Sequence, residues 1–161
     1  MLRQSHSFSF EVLDTETELL PADMALLKMA RVAIGNAYAP YSKFRVGAAA
    51  RLANGHTVSG SNQENASFPA GICAERVLLS AIAALHPNTA IETIAISYQP
   101  EEKESEHPIS PCGICRQSLL EYEHRMNHPI RLILAGMKGR VFIIPRADSL
   151  LPLAFTNDEL A

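Results

Sequence analysis

Cysteine is scarce in this sequence, with three residues in 161, at positions 73, 112 and 115. Three thiols cannot all pair within one chain, and so few rule out a disulfide framework. Metal binding or catalysis in a reducing compartment is the reading that remains. Charge of one sign is lacking as well. Fourteen Lys and Arg against seventeen Asp and Glu leave a net charge of −3, with no broad basic footprint for a long nucleic acid. No apolar run is long enough to span a bilayer. Met1-Leu2-Arg3-Gln4-Ser5-His6 lacks the apolar stretch of a secretion signal. There is no internal repeat and no low-complexity segment. The expectation is a cytoplasmic protein with neither a membrane nor a nucleic-acid partner.

What is present is an ordinary globular balance, 47 % apolar and 19 % charged, in a chain of one-domain length. Pro21 suits a helix first turn, and Met24, Leu27, Ala30, Arg31 and Ile34 follow at helical spacing until Pro40. Val46–Leu52 and His56–Gly60 flank Asn54-Gly55, a hairpin signal. The small residues of the first of these strands imply close approach by whatever packs on it. Cys73 opens a second helix, apolar almost all round to about Leu85 and therefore expected to be central and buried. Ile91–Tyr98 reads as an interior strand, and residues 99–107 as a solvated acidic loop. Pro111-Cys112 opens a third helix with Leu119, Leu120 and Tyr122 inward. Ile130–Ala135 and Arg140–Ile144 then form two strands joined by a short turn, hence antiparallel.

The order α-β-β-α-β-α-β-β predicts a three-layer α/β/α domain with a five-stranded mixed sheet. Its third and fourth strands should be parallel through a right-handed crossover. Residues 1–20 carry a Phe8, Phe10, Val12 alternation and then Asp14, Glu16 and Glu18. They read as an N-terminal appendage to a single domain over 21–161.

All the chemistry-bearing residues gather in two stretches, Gly71-Ile72-Cys73-Ala74-Glu75-Arg76 and Ser110-Pro111-Cys112-Gly113-Ile114-Cys115. Both fall at helix N-termini following neighbouring strands, where ligand crevices form in α/β sheets. Structural zinc normally takes four protein ligands, whereas catalytic zinc keeps a position for water. Three cysteines with an unused glutamate nearby point to Zn²⁺ activating water. The helix starts lower thiol pKa values, and Arg76 is a candidate to donate hydrogen bonds to the sulfurs. Glu75 is placed to act as base and then acid. The bland alternative is a non-catalytic structural zinc domain with His107 as fourth ligand. On pattern alone Phe44 and Phe155 suit a core, and Asn62 and Glu64 suit loop caps.

Cys73-Ala74-Glu75-Arg76 and Pro111-Cys112-Gly113-Ile114-Cys115-Arg116-Gln117 resemble the signature of the zinc nucleoside deaminases. The likeness is strongest to the small homotetrameric cytidine deaminases. It extends through Tyr38-Ala39-Pro40-Tyr41-Ser42-Lys43-Phe44 and Asn62-Gln63-Glu64-Asn65-Ala66-Ser67 to Leu150-Leu151-Pro152 and Phe155, roughly residues 25–158. The resemblance implies that Cys73, Cys112 and Cys115 hold zinc and that Glu75 shuttles protons while zinc-bound hydroxide attacks C4 of cytidine or 2′-deoxycytidine. It implies that Asn62 and Glu64 hold the ribose and that Phe44 lines the base pocket. The Ala74 N–H would face the pyrimidine carbonyl. Ala66, Phe68 and Phe155 would reach the site of a neighbouring subunit. The implied setting is pyrimidine salvage. A related deaminase of another aminopyrimidine is the alternative enzyme.

Three departures from the family pattern stand out: Phe68 where tyrosine is common, Arg45 where proline is common, and a long acidic loop at Glu101–Glu106.

Overall fold

Leu20 leads in extended conformation into Pro21, which starts helix α1 (Pro21–Ala33) in the computed structural model. The structure describes residues 1–160; Ala161, the last residue of the expected domain, lies outside them. Strands β2 (Phe44–Leu52) and β3 (Thr57–Ser61) form the expected hairpin. The Leu52 N–H donates to the His56 carbonyl at 2.9 Å, and Gly55 takes the turn at φ +83°. Helix α2 (Ala74–Leu85), strand β4 (Ile91–Pro100), helix α3 (Gly113–Met126), and strands β5 (Arg131–Ala135) and β6 (Val141–Ile144) follow. As expected, β4 and β5 run parallel across the α3 crossover; β2–β3, β2–β4 and β5–β6 are antiparallel.

The sheet has six strands rather than the expected five. Glu11–Leu13, here β1, pairs antiparallel with β6, giving the order β1-β6-β5-β4-β2-β3. The physical basis is the period-two alternation that begins at Phe8. It places Val12 opposite Phe142, while the Phe10 ring lies 5.1 Å from that of Phe142. The β6 edge would otherwise present unpaired backbone groups.

Helix α1 covers one face of the sheet, with Leu26, Leu27 and Ala30 against Ala49, Ala95 and Ile133. Helices α2 and α3 cover the other, with Leu78, Ile82 and Leu119 over Ala48, Ala50, Ile94 and Leu132. Helix α2 is less enclosed than its composition suggested. Ala74, Glu75, Leu78, Leu79 and Ile82 are buried, but Leu85 is 68 % exposed, and Ala83 and Ala84 beside it in the last turn are exposed too. Among the described residues, no helix is long and apolar enough to cross a membrane.

The small residues of the hairpin set the height of α2. A Cβ at Gly60 would lie 2.7 Å from the Leu78 nitrogen and 2.9 Å from the Ala74 carbonyl oxygen, both rigid backbone. The first turn of α2 therefore rests directly on β3, and Cys73 stands at its start. Gly60→Ala should cost about 1–3 kcal/mol, the usual range for overpacking, and should displace the first turn of α2. Denaturant unfolding and metal content measure the two effects; unchanged stability would contradict the contact.

Candidate metal centre

Two helix starts face one another across the C-terminal edge of the sheet. Cys73 precedes α2 with extended backbone (φ −68°, ψ 154°), and Cys112 precedes α3 in the same way (φ −67°, ψ 168°). Cys115 follows within the first turn of α3. The Sγ atoms of Cys73 and Cys112 are 3.6 Å apart and those of Cys112 and Cys115 3.4 Å, all three lying within 4.8 Å of one another. A tetrahedral ion with zinc–sulfur bonds of about 2.3 Å needs sulfurs about 3.8 Å apart. The donor set and its spacing fit zinc. Among the described residues no other His, Cys, Asp or Glu joins the group. His107, the candidate fourth ligand, instead turns to Tyr98, whose hydroxyl lies 3.3 Å from its Nδ1. Three protein donors leave one side of a tetrahedron for a non-protein ligand.

The sulfurs divide their protons unequally. The Cys115 thiol donates to Cys73, and this bond, helped by the Cys112 thiol, the Arg76 charge and the Cys73 N–H, outweighs burial and lowers Cys73 to about 6. Cys115 is pushed up in return. The lowered Cys73 thiol is what two converging helix N-termini favour.

Glu75 is the second residue of α2 and is 5 % exposed. Burial, together with the adjacent Cys73 charge, raises its carboxyl above the usual range, against the pull of its own N–H and the Cys115 thiol. It lines a cavity of about 410 Å³ together with Phe44, Asn62, Cys73, Ala74 and Cys112. Ala74 occupies the first helical position, whose N–H has no intrahelical partner. Ser42, Val46, Ile109 and Ser110 complete the wall. Sequence reasoning had not singled these out, although Ser110 lies inside the second cysteine motif and Ser42 inside the Tyr38–Phe44 block.

Asn62 holds the mouth of the cavity in shape. Its Oδ1 accepts from the Val46 N–H at 2.8 Å and its Nδ2 donates to the Phe44 carbonyl at 2.9 Å. Glu64 lies in an adjoining cleft of about 390 Å³ shared with Tyr41, Ser42 and Phe68. Its Oε2 accepts the N–H groups of Tyr41 at 2.9 Å and Ser42 at 3.3 Å. Burial opposes ionisation of Glu64, but these bonds, the Ser42 hydroxyl and Lys43 together hold its carboxyl below the usual range.

The remaining expected residues stand apart from the thiols. Phe68 is 74 % exposed and meets Tyr41 edge-on at 5.7 Å; Phe155 is 59 % exposed, and its carbonyl accepts from Gln117 Nε2. Ala66 is exposed. Arg76 lies in the groove between α2 and α3 beside Tyr122 and Arg125, and acts on Cys73 through its charge. Arg116 ties the second motif to the C-terminal segment, donating to the Pro111 carbonyl at 2.9 Å and the Leu150 carbonyl at 3.0 Å.

The chain is similar to proteins of known family. The profile of the cytidine and deoxycytidylate deaminase zinc-binding region matches residues 21–127. A cytidine deaminase of Halalkalibacterium halodurans is 34% identical over 135 residues, 84% of this chain and 95% of that one. Another, of Mycobacterium tuberculosis, is 36% identical over 131 residues, 80% and 85% of the two chains. The crystal structure of cytidine deaminase from Burkholderia pseudomallei aligns with a TM-score of 0.71 at 38% identity, covering 81% of this chain and 97% of that one.

In chelator-treated protein, alkylation of one cysteine, Cys73, should rise as pH passes about 6, while Cys115 stays slow. Added zinc should suppress the labelling. Mass spectrometry of the alkylated peptides reads both; equal labelling of all three thiols would contradict the proton arrangement.

Proposed function

The chain belongs to the cytidine and deoxycytidylate deaminase family, and from that membership and the site we infer that it catalyses zinc-dependent hydrolytic deamination of cytidine. The observation that carries this reading is the trio of thiols within 4.8 Å beside a buried carboxylate, two of them, Cys73 and Cys112, lining with Glu75 one cavity of about 410 Å³. Cys73, Cys112 and Cys115 would hold the metal, which when bound supplies a Lewis acid that makes water a nucleophile at neutral pH.

The chain's own residues do the rest. Water adds at C4 of the pyrimidine and ammonia leaves, so protons must move from the water to ring N3 and to the departing amine. Glu75 carries them: as carboxylate it accepts a proton, and its raised affinity for that proton suits it to return it as an acid. Phe44 offers a flat wall for the ring. The Ala74 N–H, at a helix start, suits the pyrimidine carbonyl. Asn62, its amide tied to β2, lines the way to the sugar. Glu64 is an anion with lone pairs to accept a sugar hydroxyl, and it would repel a phosphate. 2′-Deoxycytidine fits the same contacts. Exposed Ala66, Phe68 and Phe155 would complete the site of a neighbouring copy in a homotetramer. The setting we propose is pyrimidine salvage in the cytoplasm.

Zinc-loaded protein should remove the absorbance of cytidine and of 2′-deoxycytidine with release of ammonia, and should be slow on cytosine and on cytidine monophosphate. Retention of zinc with no change in cytidine would overturn the reading. Glu75→Ala should keep its zinc and lose turnover by about 10²–10⁴-fold, the range for a positioned acid–base group. Full turnover in that variant would remove Glu75 from its role.

A further inference from the structure

The base-side wall of the cavity is backed by a pair of residues that the deamination chemistry itself does not use. Tyr98 on β4 is 3 % exposed. It stands opposite Val46 of β2, and its ring stacks on that of Phe44 at 5.1 Å and 22°. Its hydroxyl lies 3.3 Å from His107 Nδ1, and the two rings meet edge-on at 5.8 Å. His107 begins the stretch His107-Pro108-Ile109-Ser110-Pro111-Cys112, in which two prolines fix the backbone. Ile109, Ser110 and Cys112 of this stretch line the cavity together with Phe44.

The same loop is fixed from behind. Ser105, 3 % exposed, donates its hydroxyl to the Tyr98 carbonyl at 2.7 Å and accepts the Met137 N–H at 2.7 Å. Its carbonyl takes the N–H groups of Met137 and Lys138 at 2.8 and 3.2 Å. Gly136 has no room for a side chain, since a Cβ there would run into the Ser105 carbonyl. The acidic loop is thus anchored near its C-terminal end, and His107 is held where the Tyr98 hydroxyl can reach it.

We propose that Tyr98 and His107 are a positioning pair that fixes the gap between Phe44 and the Ile109–Cys112 wall, and so sets affinity for the pyrimidine ring. This rests on the reading of the cavity as a nucleoside site. Neither residue touches the reacting atoms. A wall that holds the ring acts equally on ground state and transition state, so its loss raises KM and leaves kcat nearly unchanged.

The test uses the zinc-loaded protein and the variants Tyr98→Phe, His107→Ala, His107→Gln and the double variant Tyr98→Phe/His107→Ala. Tyr98→Phe keeps the stack and removes only the hydroxyl. Each of Tyr98→Phe and His107→Ala should raise KM for cytidine about 3–10-fold, with kcat within about twofold and zinc content unchanged. The double variant should be no worse than either single one, because both remove the same bond, and His107→Gln should restore most of the affinity. Calorimetric affinity for uridine, the product, should weaken in parallel and reads the pair without turnover. An unaltered protein that binds uridine but leaves cytidine untouched would count against the deaminase reading alone. Unchanged KM and uridine affinity in all variants, additive effects in the double variant, or a fall in kcat with KM fixed would each overturn the pair.

Discussion

Three sulfurs held within 4.8 Å repel one another once they ionise, and much of the structure can be understood as a response to that repulsion. Both helices that deliver them begin at the sulfurs, so two sets of unpaired N–H groups and two dipole ends face the negative charge. Arg76 adds a cation whose charge favours the Cys73 thiolate. The burden falls unequally on the sulfurs, with the Cys73 thiol lowered and the Cys115 thiol raised from their ordinary values. A divalent cation removes the conflict outright. The same negative charge beside Glu75, added to burial, makes that carboxyl a better proton acceptor.

Convergence of two helix starts demands a rigid scaffold. Gly60 lets α2 settle onto β3, and the parallel β4–β5 pair obliges α3 to cross over the same face of the sheet. Glu123 locks the far end of α3. Its buried carboxylate accepts the N–H groups of Ile130 at 2.6 Å, Ala147 at 3.0 Å and Asp148 at 2.9 Å. Arg116 then holds the C-terminal segment through the Leu150 carbonyl. A shift of α3 would move two of the three sulfurs at once, which gives these contacts a bearing on the metal as well as on the fold.

Much of this could be read before any coordinates. Asn54-Gly55 announced a hairpin, and the helix opened by Cys73 and the strand from Ile91 were placed by their near-continuous apolar runs. The strand β1 was not foreseen as part of the sheet. Three residues of alternation become a strand only when an edge such as β6 is there to pair with. The exposure of Leu85 was hidden for a related reason, since composition says which residues are apolar but not which turn of a helix is covered. At the site, the cysteines and Glu75 announced themselves by spacing. Tyr98 did not, because it looked like an interior strand residue, and His107 drew notice only as a candidate fourth zinc ligand at the end of a solvated loop. Their meeting depends on Ser105 folding the loop back onto β4. For Ala66, Phe68 and Phe155, the proposed role depends on contacts that no single chain contains.

The central claim is that three cysteines hold a zinc whose fourth position belongs to solvent and substrate. X-ray absorption at the zinc edge of the metal-loaded protein reads that coordination directly. Three sulfur neighbours at about 2.3 Å and one oxygen at about 2.0 Å are expected. A fourth ligand supplied by the protein, whether sulfur or imidazole nitrogen, would contradict the account and make the zinc structural.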